Sequence, residues 1–250
     1  MSARQIIGAA GFALVLLASL GVYRLALDPL RFPVSQVDVL GTLDYTDRGA
    51  LRDSLEPHLA LGFYGLDIDA VRDEVESLPW VADARVSRVW PAGLSIEIDE
   101  HTPAARWNDH SLVSKRLALF RAPQLAADHP RRASWRSLFA ELPRLEGSAG
   151  RHEALLADFR RYAEGLARVG LKAVALEEDG RLSQTLRLES GVTVLLGYED
   201  RSRRFARFLD VHERLPMSLG ARFDMRYGNG FAFSGVSTGV AGTDQGGEFE

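Results

Sequence analysis

Two adjacent stretches, Pro79–Pro91 (PWVADARVSRVWP) and Gly93–Glu100 (GLSIEIDE), decide the fold of the first half of this 250-residue chain. Pro79 ends any preceding helix because it has no backbone N–H to donate. Apolar residues then alternate along both stretches, which predicts two half-buried strands joined by a turn at Pro91 to Gly93. The residues that share a face are Ala84, Val86 and Trp90 in the first strand, and Leu94, Ile96 and Ile98 in the second.

A strand and two helices are predicted upstream of this hairpin. VSQVDVLG (34–41) alternates apolar and polar residues and ends at a glycine. YTDRGALRDSLEPHL (45–59) predicts a helix capped by Thr46 and closed by Pro57. LDIDAVRDEVESLPW (66–80) predicts a second helix, capped by Asp67 or Asp69. The order strand, helix, helix, strand, strand therefore forms a first small domain over residues 33–102.

Trp80 and Trp90 flank the strand of the first stretch. We interpret both rings as core packing, because large apolar side chains are mostly buried. Interface anchoring is the alternative, since an indole has an apolar body and a polar N–H.

Residues 103–235 predict a second domain, a mixture of helices with an antiparallel sheet. The strands lie in LKAVAL (171–176), LSQTLRL (182–188) and VTVLLG (192–197), and the helices in HEALLADFRRYAEGLARV (152–169) and DRSRRFARFLDVHERL (200–215). Lys115–Glu146 is irregular and basic and is predicted to be a loop. The helix predicted at residues 200–215 has a basic face, which is either solvated or in contact with an acidic lipid or partner.

The stretch ARFDMRYGNGFAFSG (221–235) closes this domain with two alternating runs around a bend at Gly228 to Gly230. If it lies at the margin of the sheet, its free N–H and C=O groups form a template for an incoming strand. Exposed Tyr227 and Phe231 would then anchor a partner; packing of both rings in the core is the alternative. Residues 236–250 are rich in Gly, Ser, Thr and acidic residues, which predicts a disordered tail.

The segment IIGAAGFALVLLASLGVY (6–23) carries no charge, and its apolar character continues past Arg24 to Leu27. About 20 helical residues cross the hydrocarbon layer of a bilayer. We therefore predict a transmembrane helix over residues 6–27, after a short cytoplasmic tail of residues 1–5. A cleaved signal peptide is the alternative interpretation.

Composition argues against several kinds of chemistry. The formal net charge of −4 supplies no basic field for nucleic acid, and the absence of cysteine removes thiolate zinc sites and cysteine nucleophiles. The six histidines lack metal-ligand spacing. A literal G-x-S-x-G around Ser237 lacks the strand and helix that a hydrolase nucleophile needs. The sequence thus predicts no catalytic residue, metal, cofactor or small-molecule substrate, and a protein that is not an enzyme.

Several motifs resemble known families. Pro79–Pro91 resembles the POTRA signature P-W-V-x-x-A-x-V-x-R-x-W-P nearly position for position. Together with PAARWND (103–109), LPRLEG (142–147) and FDMRYGNGFA (223–232), it resembles the bacterial cell-division FtsQ/DivIB family over nearly the whole chain.

This resemblance implies a divisome scaffold of the inner membrane, with a single span, a cytoplasmic N-terminus and periplasmic domains at the division septum. It implies binding to FtsB and FtsL, help in recruiting septal peptidoglycan synthases, and contacts between the POTRA domain and other division proteins. In the family, a segment of FtsB adds to the last strand of the second domain. The positions carried over are Arg226, Tyr227, Asn229, Gly230 and Phe231, with Arg181 on a neighbouring strand as a salt-bridge donor.

The chain departs from the family pattern at two places. Relatives often have a longer basic cytoplasmic tail, and they tend to have Asp and Gly where this chain has Ser114, Lys115 and Arg116. Two alternative functions are a POTRA-containing periplasmic transport or assembly component and a secreted soluble enzyme. The first requires a long run of barrel strands after the POTRA unit, and the second a polar site, which the sequence does not display.

Overall fold

The computed structural model describes residues 3–26, 28–123, 125, 131–215, 217, 219–228 and 230–235. The chain divides into two compact units, Met1–Thr102 with Phe120–Ser134 and Pro103–Leu119 with Trp135–Glu250. The domain limits expected from the sequence, 33–102 and 103–235, stay a prediction. The expected disordered tail, 236–250, lies outside the described residues.

The first unit begins with the helix α1 (Ala3–Ala26). Among the helices that the structure describes, none combines the length and the apolar character needed to cross a membrane. The transmembrane helix expected over residues 6–27 is therefore not supported by the described part of the chain.

The rest of this unit forms a three-stranded sheet covered by helices. The elements are β1 (Gln36–Leu40), α2 (Arg48–Leu59), α3 (Gly62–Gly65), α4 (Ile68–Glu76), β2 (Val81–Val89) and β3 (Gly93–Glu100). Their order is the predicted one, with the short helix α3 in addition. Strand β1 runs parallel to β3, and β3 pairs antiparallel with β2, which gives the order β1-β3-β2. Val71, Val75, Leu94, Ile96 and Ile98 are almost completely buried between the helices and the sheet.

Two predictions about the helices of this unit need correction. The side chain of Asp47, not that of Thr46, caps α2 by accepting from Gly49 N, while Asp67 caps α4 as expected. Helix α2 does not end at Pro57 but continues to Leu59, since a proline in the last turn removes only one N–H donor.

The two tryptophans have different environments. Trp80 is 4% exposed, whereas Trp90 is 70% exposed, so core packing was wrong for Trp90. The alternation of apolar residues predicted that Trp90 lies on the buried face of the strand. The strand ends at Val89, however, and Trp90 lies in the turn beyond it.

The second unit holds most of a larger sheet. Its elements, with those that connect it to the first unit, are β4 (Pro103–Trp107), β5 (Ser111–Ser114), β6 (Leu119–Arg121), α5 (Arg132–Glu141), β7 (Arg144–Glu146), α6 (His152–Ala167), β8 (Ala173–Glu178), β9 (Gln184–Leu188), β10 (Thr193–Gly197), α7 (Arg201–Val211), β11 (Arg222–Asp224) and β12 (Ala232–Ser234). The strand order is β12-β11-β10-β9-β8-β7-β4-β5-β6. A short 3-10 turn, His212–Arg214, follows α7.

This sheet is mixed, so the prediction of an antiparallel sheet was wrong in part. The pairs β4–β7, β7–β8 and β10–β11 are parallel, and the other printed pairs are antiparallel. Parallel neighbours need a crossover connection, usually a helix. Helix α6 crosses over between β7 and β8, and α7 crosses over between β10 and β11.

The stretch Lys115–Glu146, expected to be a loop, contains β6, α5 and β7. Its arginines concealed the helix: Arg136 is exposed and Arg132 is half-buried, while only Trp135 is buried, at 8% exposed. The core of this unit packs α6 and α7 on the sheet through Tyr162, Leu166, Phe208 and Phe223, all fully buried.

Candidate partner-binding edge

Strand β12 forms one edge of the larger sheet. It pairs antiparallel with β11 on one side, and in the described part of the chain no strand pairs with its other side. Strand β11 lies between β10 and β12 and is therefore enclosed on both sides. Residues 221–235 were predicted to form a template for an incoming strand. Of the two strands described in this stretch, only β12 has a free edge. All three of its residues are exposed.

The hydrogen bonds of β11 show which backbone groups of β12 point to the free side. Met225 N donates to Leu195 O at 3.0 Å, and Thr193 N donates to Ala221 O at 2.9 Å, so the odd-numbered residues of this strand face β10. Arg222 and Asp224 therefore face β12, opposite Ser234 and Ala232. It follows that the N–H and C=O of Phe233 point away from the sheet, towards any added strand.

Aromatic side chains surround this edge. The side chain of Tyr227 is 58% exposed, that of Phe231 is 37% exposed and that of Phe233 is 46% exposed. The rings of Phe231 and Phe233 lie 6.4 and 5.2 Å from the buried ring of Phe223. Tyr227 is therefore not packed in the core. Phe231 packs against the core with one part of its ring and is exposed on the other.

Arg226 is held by a carboxylate of its own chain. Its Nε and Nη2 donate to Asp224 Oδ1 and Oδ2 at 2.8 and 2.5 Å. These hydrogen bonds hold the pKa of Asp224 below its ordinary value and raise the pKa of Arg226. The bidentate contact fixes the guanidinium beside the end of β11, so the Arg226 side chain is already oriented before a partner binds.

Arg207, on α7, was missed by the sequence reasoning. Its Nη1 donates to the carbonyl oxygens of Tyr227 at 2.7 Å and Gly230 at 3.0 Å, and its Nη2 donates to Gly228 O at 3.0 Å. One guanidinium thus holds three carbonyl groups of the turn that leads into β12. The sequence signal was only its place on the basic face of the helix.

The sequence left open whether the basic face of α7 is solvated. In the structure, three of its arginines pack against their own chain. Arg201, Arg204 and Arg207 recur every three residues and are all half-buried. Arg204 Nη1 donates to Leu196 O at 2.8 Å, and Arg201 lies 3.4 Å from Glu178 Oε2. Arg203, by contrast, is exposed.

The predicted partner-binding residues are brought together only in part. Arg226, Tyr227, Gly230 and Phe231 all belong to the segment between β11 and β12. Asn229 lies outside the described residues. Arg181 lies in the turn between β8 and β9, at the same end of the sheet but three strands from β12. At about 4.8 Å per strand this is roughly 14 Å, so Arg181 would meet a different part of any partner.

A buried ionic cluster supports this end of the sheet. The side chain of Glu178 is 0% exposed and accepts from Arg151 Nε and Nη2 at 2.8 and 3.0 Å and from Gln184 Nε2 at 3.0 Å. Burial raises the pKa of Glu178, but the hydrogen bonds from Arg151 and Gln184 outweigh it, so the pKa lies below its ordinary value. Across the described ranges, no group of three or more His, Asp or Glu residues could hold a metal ion.

Comparison with known proteins agrees with this architecture. Residues 32–101 match the POTRA domain of FtsQ type, and residues 105–226 match the C-terminal domain of the cell division protein FtsQ/DivIB. The chain is 31% identical to the cell division protein FtsQ of Xanthomonas campestris, over 86% of this chain and 74% of that protein. The chain belongs to the FtsQ/DivIB family.

Other family members show the same extent of similarity. The FtsQ proteins of Thioalkalivibrio and Allochromatium vinosum are 31% and 30% identical, over 90% and 88% of this chain and 89% and 84% of theirs. The chain is therefore a cell division protein with an FtsQ-type POTRA domain. The match to the C-terminal domain ends at Arg226, so Tyr227 and β12 are known from the structure rather than from the family model.

Proposed function

We propose that this member of the FtsQ/DivIB family is a non-enzymatic divisome scaffold that captures FtsB by adding a strand of FtsB to β12. FtsL joins the same complex, and the assembly helps to recruit and control septal peptidoglycan synthesis. The observation that carries the proposal is the free edge of β12 beside exposed aromatic rings. The match of the second unit to the FtsQ/DivIB C-terminal domain favours this over a POTRA-containing transport component.

The edge supplies affinity and the side chains supply selectivity. An added strand would hydrogen-bond to the outward N–H and C=O of Phe233, as in other cases of strand addition. Tyr227 and Phe231 would bury large rigid rings against the partner. Arg226 already pairs with Asp224, so in this proposal it contacts FtsB as a preformed ion pair. Arg181, which makes no ion pair among the described residues, is the arginine available for a carboxylate of FtsB.

We also propose that the folded domains act on the periplasmic side of the inner membrane at the septum, held there through α1. Leu14, Val15, Leu16 and Leu17 are each more than half exposed. Consecutive helical residues lie 100° apart, so these four side chains cover every face of the helix. Such a surface needs an apolar environment that the described part of the chain does not provide. Flotation of the full chain with phospholipid vesicles tests this location.

A pair of substitutions at one position tests strand addition. Phe233→Pro removes the outward N–H but leaves the bonds of Ala232 and Ser234 to β11, and an edge strand tolerates proline where its N–H faces solvent. Phe233→Ala removes the ring and keeps the N–H. We expect Phe233→Pro to weaken capture of FtsB at least fivefold more than Phe233→Ala does. Equal binding by the two variants would show that FtsB does not pair with the backbone of β12.

A further inference from the structure

Three exposed aromatic rings cluster together, one from the segment after α1, one from α3 and one from the turn after β2. We call Phe32, Tyr64 and Trp90, with the adjacent Leu30 and Leu61, the aromatic patch. Ring centroids of Phe32 and Tyr64 lie 5.1 Å apart, and those of Tyr64 and Trp90 lie 6.0 Å apart. Leu30 is 91% exposed and Trp90 is 70% exposed. These rings do not form the core, so their exposure requires another explanation.

A chain of backbone hydrogen bonds joins the patch to the end of α1. Asp28 N donates to Leu25 O at 3.4 Å, Phe32 N donates to Asp28 O at 3.1 Å, and Phe63 N donates to Phe32 O at 2.7 Å. Gly62 permits this close packing, because a Cβ there would lie 2.7 Å from Pro29 Cα. These hydrogen bonds place the patch directly after the end of the apolar helix.

The composition of the patch matches the boundary layer of a bilayer. Tyr and Trp are enriched at membrane interfaces, where the apolar ring faces the acyl chains and the polar tip stays in the headgroup region. Arg31 lies in the same turn, with its Nε 3.5 Å from Asp28 Oδ2, and its side chain is still 60% exposed, so the guanidinium can reach a phosphate of the headgroup layer. A protein partner would bury one stripe of α1, whereas lipid surrounds all the faces that Leu14 to Leu17 expose.

We propose that the aromatic patch lies in the phospholipid headgroup layer and sets the orientation of the POTRA domain on the membrane surface. This inference rests on the proposed location of α1 in lipid. It goes beyond the capture of FtsB, since it assigns a second, lipid-facing surface to the POTRA unit.

The absence of cysteine makes this surface easy to probe. Leu61→Cys places one nitroxide label in the patch, Leu16→Cys places one on α1, and Asp83→Cys is the control. Asp83 is seven residues from Trp90 along β2, about 23 Å at 3.3 Å per residue. Each labelled full-length chain is reconstituted in nanodiscs that contain anionic phospholipid. Collision of the label with oxygen, which partitions into lipid, is compared with collision with an aqueous nickel chelate.

We expect the Leu61 label to collide with the nickel chelate at least threefold less than the Asp83 label, and with oxygen more. Combining Leu61→Cys with Tyr64→Ala and Trp90→Ala should raise nickel access at least twofold, while the same pair leaves the Leu16 label unchanged. Both rings are exposed, so their removal should leave the fold intact, which circular dichroism checks.

The outcomes separate this inference from the function proposed above. A Leu61 label as open to nickel as the Asp83 label, with the Leu16 label in lipid, overturns the patch proposal alone. A Leu61 label shielded from both reagents indicates protein contact, for example a second copy, and also overturns it. A Leu16 label in water overturns the location of α1 and the patch together, while capture of FtsB is measured separately.

Discussion

The guanidinium of Arg207 holds the carbonyl oxygen of Gly230 at 3.0 Å, two residues before β12 begins. Through the same side chain, α7 also binds the carbonyl oxygens of Tyr227 and Gly228. A glycine-rich turn between two short strands would otherwise sample many conformations. The helix thus fixes the approach of the chain to its free edge before any partner arrives.

Removal of Arg207 should therefore weaken partner binding without a contact to the partner. For Arg207→Ala we expect three- to tenfold weaker capture of FtsB and a loss of about 1 kcal/mol in the free energy of unfolding. Arg207→Lys keeps the charge but lacks the planar fork, so it should behave almost like the alanine variant. Arg203→Ala, on the exposed side of the same helix, is the matched control.

A second substitution distinguishes ordering of the turn from general destabilisation. At Gly228 an added Cβ meets no atom within 4 Å, and alanine restricts the backbone of the free turn. Gly228→Ala in the Arg207→Ala background should recover part of the lost affinity. If Arg207→Ala alone binds FtsB as tightly as the parent chain, Arg207 does not order the turn for binding.

Tyr227→Ala and Phe231→Ala should each weaken capture of FtsB by at least tenfold, about 1.4 kcal/mol. Tyr227 is largely exposed, so its variant should unfold at the same denaturant concentration as the parent chain. Tyr198→Ala is the control, because Tyr198 is 56% exposed at the same end of the sheet but follows β10. Unchanged co-purification of both variants with FtsB would reject this surface.

Acid should weaken the second domain through Glu178. Its folded pKa is below the unfolded value of about 4.3. Glu178 therefore contributes stability that is fully present above that value and is lost as pH falls through the folded pKa. Glu178→Gln should lower the free energy of unfolding by about 3 kcal/mol at pH 7, since it leaves Arg151 without its carboxylate and Arg201 with only the more distant Asp158, at 3.8 Å.

The same variant should flatten the dependence of stability on pH below about pH 5. Urea unfolding at each pH measures both effects. Glu189→Gln is the control, because the pair of Glu189 with Lys172 is solvent-exposed and should matter little. An acid slope as steep in Glu178→Gln as in the parent would show that other carboxylates control it.

Gly62→Ala should destabilise the first unit by about 2 kcal/mol or more. Gly62 has a φ of +75°, and an added Cβ would meet backbone atoms of Pro29 and Phe32. Gly49→Ala, inside α2 where the φ is not left-handed and the added Cβ meets only the Asp47 side chain, at 3.1 Å, should cost much less. Thermal unfolding of the two variants compares them directly, and equal midpoints would contradict the close packing at Gly62.

Sequence periodicity predicted the elements whose apolar residues face one core. It located α4 through Val71 and Val75, α6 through Tyr162 and Leu166, and the hairpin of β2 and β3. It missed α5, because the arginines of that helix outweighed the single buried Trp135. The alternation also does not report whether neighbouring strands run parallel, which depends on the crossovers made by α6 and α7.

The candidate site was predictable only at the level of the segment. Tyr227 and Phe231 followed from the closing pattern, but the restriction of the free edge to β12 depends on β11 being enclosed by β10, which no local signal encodes. Arg207 looks like any arginine on a basic helix face until the fold brings three carbonyl groups to it. The prediction that Trp90 is buried was wrong for a similar reason. Trp90 lies one residue past the end of β2, where that face of the sheet is no longer covered.

Amide hydrogen exchange at Phe233, with and without FtsB, directly tests whether FtsB adds a strand to β12. In the free protein we expect fast exchange at Phe233 and slower exchange at Ala232 and Ser234, whose N–H groups face β11. Addition of FtsB should slow exchange at Phe233 by at least tenfold and change its two neighbours much less. A Phe233 amide that is already protected in the free chain, or that stays as fast in the complex, would contradict capture of FtsB by strand addition at β12.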